Sequence, residues 1–404
     1  MIALPTPDAA RSEEKRALGV ACGAHAVHDG FTDLIYVLLP VWQSEFGLGY
    51  AEVGLLRGAY AGAMAAFQYP AGLLAERSGA PVMLALGTAL TGIAFLLAGS
   101  VSGFAALTAV LLLGGLGASV QHPIASAVVA RAFEGARSRV ALGNYNFSGD
   151  IGKMVLPAAT ALLLTFMPWR LALSALAGFG LLAAVAIFVL TPRFARPSSA
   201  ATPETPAATM STATGARRGG FPLLLAIGMI DSATRMAFLT FLPFLLVAKG
   251  ASLATIGLAL TLVFAGGAAG KLVCAHLGAR IGVLATVILT EGLTALGIVA
   301  LLPLPLAAGL ALLPMIGIAL NGTSSVLYGT VPELISPAAH ARAFGVFYTG
   351  SIGSGAVAPA LYGLFSDSFG VPGTMLLIAA VVLATLPLVI ALNPFLKTGH
   401  APSR

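Results

Sequence analysis

Long apolar runs alternate with short polar segments along most of the chain. About 20 mostly apolar residues form a helix that can cross a bilayer. The runs lie near residues 18–42, 52–75, 81–100, 103–130, 140–166, 169–191, 221–247, 253–277, 282–302, 305–330, 342–365 and 371–394. They predict an all-α polytopic membrane protein with twelve transmembrane helices. Most connections are only a few residues long, so consecutive helices should run antiparallel.

One longer polar stretch divides these helices into two groups of six. Residues 192–220 are rich in Pro, Ser, Thr and Ala, a composition typical of a flexible linker. The predicted organisation is an N-terminal tail (1–17), a six-helix half (18–191), the linker (192–220), a second six-helix half (221–394) and a C-terminal tail (395–404).

The composition agrees with a membrane protein. Apolar residues make up 58% of the chain and charged residues only 9%, against about 25% in soluble domains. So few charges cannot cover a soluble surface of this size, and disordered or fibrous classes are excluded as well. The net charge of +6 is not gathered in a soluble basic patch, so nucleic acid is not an expected partner. Cys22 and Cys274 lie in separate apolar runs and are expected to fill space in the core.

The Lys and Arg residues indicate the orientation, because cytoplasmic loops are enriched in them. With the amino terminus inside, only Arg170 and Lys249 of the 21 Lys and Arg fall outside, and four fall within spans. The other fifteen are cytoplasmic. Both termini and the linker are therefore expected on the cytoplasmic side.

The two halves repeat each other at a constant offset of 203 residues. Pro40 corresponds to Pro243, Gly47 to Gly250, and the pair at 53–54 to the pair at 256–257. Arg77-x-Gly79 likewise corresponds to Arg280-x-Gly282. Two halves in the same orientation should be related by an axis along the membrane normal.

A loop motif follows the second span, Gly72-Leu-Leu-Ala-Glu76-Arg77-Ser-Gly79. It resembles the cytoplasmic loop motif of the major facilitator superfamily, and the resemblance covers about residues 18–394. It implies that Glu76 and Arg77 act in gating. The second copy contributes Arg280, but Ala279 stands at its acidic position.

Two further motifs resemble the fosmidomycin-resistance-like branch of drug-efflux proteins. The first span contains His25-Ala-Val-His28-Asp29, and the fourth contains Gln121-His122-Pro123. That branch typically has a His and an acidic residue in span one and a His-Pro in span four. The resemblance implies export of a small organic molecule across a bacterial inner (plasma) membrane.

The first span carries the densest group of ionisable residues. His25, His28, Asp29 and Asp33 fall within an arc of about 140° on one helix face. Asp29 lies near the middle of the span, the depth at which such transporters bind their cargo. His and Asp can exchange protons, so we interpret the face as a proton relay centred on Asp29. The alternative is a polar stripe that packs against span five.

Span five carries Asn146, Asp150 and Lys153. Asp150 and Lys153 are three residues apart and are expected to pair directly. Asp150 is a further candidate for proton coupling. Asn146 and Lys153 are candidates for substrate binding.

Span seven carries Asp231 and Arg235, four residues apart and expected to pair. We favour a role for Arg235 in holding a carboxylate, phosphonate or hydroxamate on the substrate, and a pair that only satisfies Asp231 is the alternative. His28, His122, Asn321 and Asp231 complete the predicted substrate-binding group.

Three other charged residues lie within spans. Arg57 is one turn from a helix end and is expected to extend outward. Lys271 should line the cytoplasmic half of a cavity, and Glu291 lies in span nine, which is expected at the periphery.

The sequence favours a secondary transporter that acts as a monomer and uses no cofactor. It contains no nucleotide-binding motif, so an ion gradient must supply the energy, and the titratable groups favour protons. We expect proton-coupled efflux of a drug, siderophore or metabolite. The alternative is proton-coupled import of an organic acid or metal chelate. A membrane-embedded enzyme or a receptor is a remote alternative, and no metal centre is expected, although His and Asp are suitable ligands.

Overall fold

The computed structural model describes residues 7–133, 135–192, 219–335 and 340–396. Every regular element in these ranges is a helix. The predicted linker falls mostly on residues 193–218, which lie outside the described residues, as does most of the predicted C-terminal tail.

The first half contains eight helices that form six spans. The helices are α1 (Pro7–Asp33), α2 (Ile35–Phe46), α3 (Tyr50–Ser78), α4 (Ala80–Ala98), α5 (Phe104–Ala118), α6 (Gln121–Ala132), α7 (Gly135–Phe166) and α8 (Trp169–Leu190). Leu34 separates α1 from α2, and together these two helices form the first span. Residues 119–120 separate α5 from α6 in the same way within the fourth span.

The described residues of the second half form five helices, two of which bend sharply where one span ends and the next begins. The helices are α9 (Gly220–Ala248), α10 (Leu253–Leu301), α11 (Leu306–Leu334), α12 (His340–Leu383) and α13 (Thr385–Leu392), followed by a 3₁₀ turn (Asn393–Phe395). Gly282 in α10 and Gly370 in α12 have φ angles of +80° and +72°, which favour glycine and end one span before the next begins. The described residues therefore form the twelve predicted spans.

Among the described residues, eight helical stretches are long and apolar enough to cross a membrane. Two of them, Leu253–Leu301 and Arg342–Phe395, are the stretches that hold two spans each. The first span (α1 with α2) and the second span (α3) are the two predicted spans that are not among these eight stretches. Both carry several ionisable residues, which lowers their hydropathy.

Helix α1 begins at Pro7, so the helix extends beyond the apolar run that starts near residue 18. The residues before the apolar run are rich in Ala, Glu, Lys and Arg, which are strong helix formers. Their polarity marks where the apolar surface ends and not where the helix ends. Arg16 fixes this segment by donating hydrogen bonds to the carbonyls of Val189 and Leu190 at 2.9 and 2.6 Å.

The backbone confirms the internal repeat. Gly47 and Gly250, which are 203 residues apart, have φ angles of +62° and +83°. Gly79 and Gly282, separated by the same interval, have φ angles of +87° and +80°. The sequence repeat thus places the same left-handed turns at corresponding helix ends of the two halves.

The apolar core is shared by the two halves at one end of the molecule only. A large cluster that contains Tyr36, Trp42, Phe238 and Phe241 joins both halves. Toward the end that carries residues 192 and 219, the apolar side chains form two separate clusters, one in each half. Apolar contact between the halves is therefore confined to one end, the closed end, and we infer that a space between the halves opens toward the other end, which carries residues 192 and 219.

The closed end is held by tight contact between α3 of the first half and α12 of the second. A Cβ atom on Gly54 would lie 2.1 Å from the carbonyl oxygen of Pro359, so only glycine permits this approach. The Asp367 carboxylate accepts hydrogen bonds from the backbone N–H groups of Tyr50 and Ala51 at 2.6 and 3.0 Å. Asp367 thereby caps the N-terminus of a helix in the other half, where a negative charge is favourable.

Candidate functional site

Asp29 lies at the centre of a buried cluster formed by three helices. The Nε2 atoms of His25, His28 and His122 are 3.4, 3.7 and 4.0 Å from its Oδ1 atom. The Nζ atom of Lys153 is 3.3 Å from its Oδ2 atom. Residues predicted separately from spans one, four and five therefore converge on one carboxylate.

Small residues in α7 allow this convergence. A Cβ atom on Gly152 would lie 1.9 Å from the carbonyl oxygen of Ala26, and one on Gly149 would lie 2.5 Å from Oδ2 of Asp29. The backbones of α1 and α7 are thus close enough for Lys153 to reach Asp29. The polar face thus packs against span five, as the alternative interpretation has it, and the proton relay stays a prediction.

A backbone carbonyl fixes the orientation of the His25 ring. Its Nδ1 atom is 2.7 Å from the carbonyl oxygen of Tyr145. A carbonyl can only accept, so Nδ1 carries the hydrogen and the neutral ring presents a lone pair on Nε2. The Nε2 atom that faces Asp29 is therefore the one that can gain a proton.

Asp33 has a separate partner, Arg57 of the second span. The Nη2 atom of Arg57 is 3.8 Å from Oδ1 of Asp33, and the guanidinium carbon lies 4.8 Å from the centre of the Tyr36 ring. Arg57 is only 2% exposed, so the prediction that it extends outward was wrong. A buried carboxylate and an aromatic face stabilise the guanidinium inside the protein, which hydropathy alone cannot reveal.

Asp150 was predicted to pair with Lys153, but its partner is Lys271. The Nζ atom of Lys271 lies 2.7 Å from both carboxylate oxygens of Asp150, while Lys153 turns to Asp29. The reason is the packing of α10 on α7, where the Thr261 hydroxyl donates to the carbonyl of Met154 at 3.1 Å. This pair therefore joins the two halves.

The predicted pair in α9 is also absent, since the described residues show no ion pair between Asp231 and Arg235. Nη1 of Arg235 instead donates a long hydrogen bond, 3.4 Å, to the Ser324 hydroxyl. Asp231 is buried, and it lies within electrostatic range of Glu291. Glu291 is buried as well, so its side chain faces the interior of the protein.

The remaining predicted residues lie apart from this cluster. Asn146 is exposed on α7, and Asn321 donates to the Gly317 carbonyl of its own helix at 3.2 Å. The three predicted gating residues are exposed toward the open end: Glu76, Arg77 and Arg280.

Three members of the cluster have the chemistry of metal ligands. The ligand atoms of His25, Asp29 and His122 all lie within 4.8 Å of one another. However, the Lys153 ammonium group contacts the same carboxylate and opposes a divalent cation at this position. We therefore interpret the group as an ionic and proton-binding cluster.

The fold and the intramembrane charges define a membrane transporter. The sequence profile of the Major Facilitator Superfamily matches residues 21–230 and 224–403. The chain belongs to this superfamily, and the predicted resemblance is confirmed.

Two curated relatives show similarity over part of their length. The chain is 28% identical over 147 residues to the fosmidomycin resistance protein of Escherichia coli (strain K12). It is also 28% identical over 137 residues to an uncharacterized MFS-type transporter of Mycobacterium tuberculosis (strain ATCC 25618 / H37Rv). These alignments cover 36% and 34% of the chain and span 36% and 24% of the relatives' own lengths.

Solved structures share the fold over nearly the whole chain. An inward-facing, occupied bacterial homolog of the human lysosomal transporter Spinster aligns with a TM-score of 0.77 at 15% identity, covering 94% of this chain and 97% of that one. A nucleoside transporter aligns with a TM-score of 0.74 at 13% identity, covering 93% and 99%.

Proposed function

We propose that the chain is a secondary active transporter that exports a small organic molecule in exchange for protons. The observation that carries the proposal is the buried cluster around Asp29, which lies between helices of a fold that opens at one end. The similarity to the fosmidomycin resistance protein supports export of a drug-like molecule.

Asp29 is the principal proton carrier in this mechanism. His25 and His28 hold their Nε2 atoms near its carboxylate, where they can exchange protons with it. Asp33 and Asp150 assist, because each has a cation that can change partners. Binding and release of one proton would then alter the contacts between α1 and α7.

Substrate binds in the space between the halves. The residues assigned to it are drawn from both halves: His28, His122, Asn146, Lys153, Asp231, Arg235 and Asn321. Glu76, Arg77 and Arg280 stabilise one conformation at the open end. In the inner membrane, with both termini in the cytoplasm, that end faces the cytoplasm and the described state faces inward.

Import of an organic acid together with protons is the second candidate. It is favoured by the partly exposed ammonium groups of Lys153 and Lys271, which suit an acidic cargo. The two candidates predict opposite directions of movement under the same gradient.

Membrane vesicles from expressing cells test the proposal. Inverted vesicles with an acidic interior should accumulate labelled fosmidomycin, because export becomes uptake when the membrane is inverted. Asp29→Asn should abolish this accumulation, and Arg131→Gln, at an exposed position on α6, should not. Gradient-driven uptake only into right-side-out vesicles would support import, and full accumulation by Asp29→Asn would overturn the role of Asp29.

A further inference from the structure

Two lysine–carboxylate pairs, one within the first half and one between the halves, share one arrangement, in which the cation is more exposed than its carboxylate. The Lys153 side chain is 30% exposed, whereas that of Asp29 is 9% exposed. Lys271 and Asp150 show the same contrast, at 40% and 9%. His122 is 41% exposed beside the same Asp29 carboxylate. The open space therefore meets ammonium and imidazole groups, and the carboxylates lie behind them.

The two lysines come from different halves and act on each other. Lys153 lies on α7 and Lys271 on α10, and each has its own carboxylate within hydrogen-bonding or ion-pair distance. Asp150, whose carboxylate contacts Lys271 at 2.7 Å, lies about one turn before Lys153 on α7, so the two positive charges lie in the same region and repel each other. An anion bound between the two ammonium groups would relieve this repulsion. Its attraction to them would be stronger than in bulk water, because both ammonium groups are partly removed from water.

Donor capacity for such an anion remains at both lysines. An ammonium group has three hydrogen atoms to donate. Lys153 contacts Asp29 through one oxygen at 3.3 Å, and both groups are accessible from the open space. Arg235 adds a third, half-buried cation on α9 that has no ion-pair partner among the described residues.

We propose that the transporter takes an anionic cargo, and that the acidic group of the cargo binds between Lys153 and Lys271. This inference rests on the proposed transport function and adds the chemical class of the substrate. A carboxylate or phosphonate group has oxygens for both ammonium groups. Because one lysine belongs to each half, the bound anion would favour conformations in which the lysines converge, and so link binding to movement of the halves.

The lysines could instead serve only to neutralise the buried carboxylates. Removing a lysine alone cannot separate these roles, because a lone buried carboxylate is itself costly. Removing both members of a pair separates them. The variants are therefore Asp29→Asn with Lys153→Gln, and Asp150→Asn with Lys271→Gln.

Calorimetry on the purified full chain in detergent tests the proposal with two matched probes. These are phenylphosphonate, which is an anion, and its neutral dimethyl ester. The wild-type protein should bind the anion at least about tenfold more tightly than the ester. Each pair-neutralised variant should lose that preference, and Arg131→Gln should keep it. Thermal unfolding of every variant checks that it is folded.

Equal binding of the anion and the ester by the wild-type protein would overturn the proposal. So would an undiminished preference for the anion in either folded double variant, or no saturable anion binding at about 10 mM ligand. If calorimetry gives one of these results but the protein still transports fosmidomycin in vesicles, the transport function stands and only the anion site is rejected. Anion binding without vesicle transport would reject the transport function alone.

Discussion

Asp367 is predicted to control how firmly the closed end of the transporter is held. Its two carboxylate oxygens accept the N–H groups of Tyr50 and Ala51, which belong to the other half. In Asp367→Asn, one oxygen becomes an NH₂ group that cannot accept a hydrogen bond, and the negative charge at the α3 N-terminus is lost. Both changes weaken a contact that exists only while the end is closed.

The size of the effect follows from these bonds. A hydrogen bond to a charged group contributes about 1.5–3 kcal/mol, and loss of an N-terminal cap about 0.5–2 kcal/mol. The contact lies at the surface, where water competes, so the expected loss is about 1–2 kcal/mol. Since 1.4 kcal/mol is a factor of about ten, the ratio of closed to open molecules should fall about 5- to 30-fold.

Pulsed electron paramagnetic resonance can measure this ratio on a cysteine-free protein. One spin label belongs in the turn between α7 and α8, and the other in the turn between α9 and α10, both at the closed end. Asp367→Asn should increase the population with a long distance between the labels. The matched control is Glu52→Gln, because Glu52 caps the same helix through Gly49 at 2.9 Å but lies in the same half. The reasoning fails if both variants open the end equally, or if neither changes the distance distribution.

Three further predictions concern packing, a buried ion pair and the gate. Gly152→Val should separate α1 from α7, because a Cβ atom at this position would lie 1.9 Å from the Ala26 carbonyl oxygen. Thermal unfolding should show that the free energy of unfolding falls by about 1–3 kcal/mol or more, and a variant as stable as the wild type would contradict this close packing. Arg57→Leu should destabilise the protein by about 3–5 kcal/mol, and adding Asp33→Asn should restore much of that stability. If the double variant instead loses the sum of the two single-variant losses, the two residues do not form a buried pair. Arg77→Ala should slow transport while substrate affinity stays within a few-fold, and loss of binding in a folded variant would place Arg77 in the binding site instead.

The fold was largely predictable because apolar runs mark the membrane spans and glycines mark the turns between them. Each span needs an apolar run of fixed length, so the twelve runs appear directly in the sequence. The turns at Gly47 and Gly250 need left-handed backbone conformations, so the repeat preserved glycine at both. Residues 7–17 show the limit of hydropathy, since a helix can continue where its apolar surface stops.

The candidate site was predictable in composition but not in pairing. Helical periodicity placed His25, His28 and Asp29 on one face, and the structure brings them together. Spacing within one helix also suggested a partner for Asp150, but its partner Lys271 lies 121 residues away. Which residues meet across helices depends on how α7 and α10 are aligned, and periodicity within either helix does not contain that information.

Buried charges were the hardest to place. Glu291 and Arg57 each occur alone in an otherwise apolar run, and nothing nearby in the sequence indicates whether they face the interior. One signal was available, because a charge in a span requires an opposite charge elsewhere in the membrane. Searching for partners across spans, and not only within each helix, would have suggested that Arg57 lies close to Asp33.

Proton movement coupled to substrate tests the central role of Asp29 most directly. The protein is reconstituted in liposomes that contain a pH-sensitive dye, and fosmidomycin is added to one side without an imposed gradient. The wild-type protein should move protons when substrate is added, and Asp29→Asn should move none while it still exchanges labelled for unlabelled fosmidomycin. Substrate-driven proton movement of wild-type size by Asp29→Asn would contradict the account.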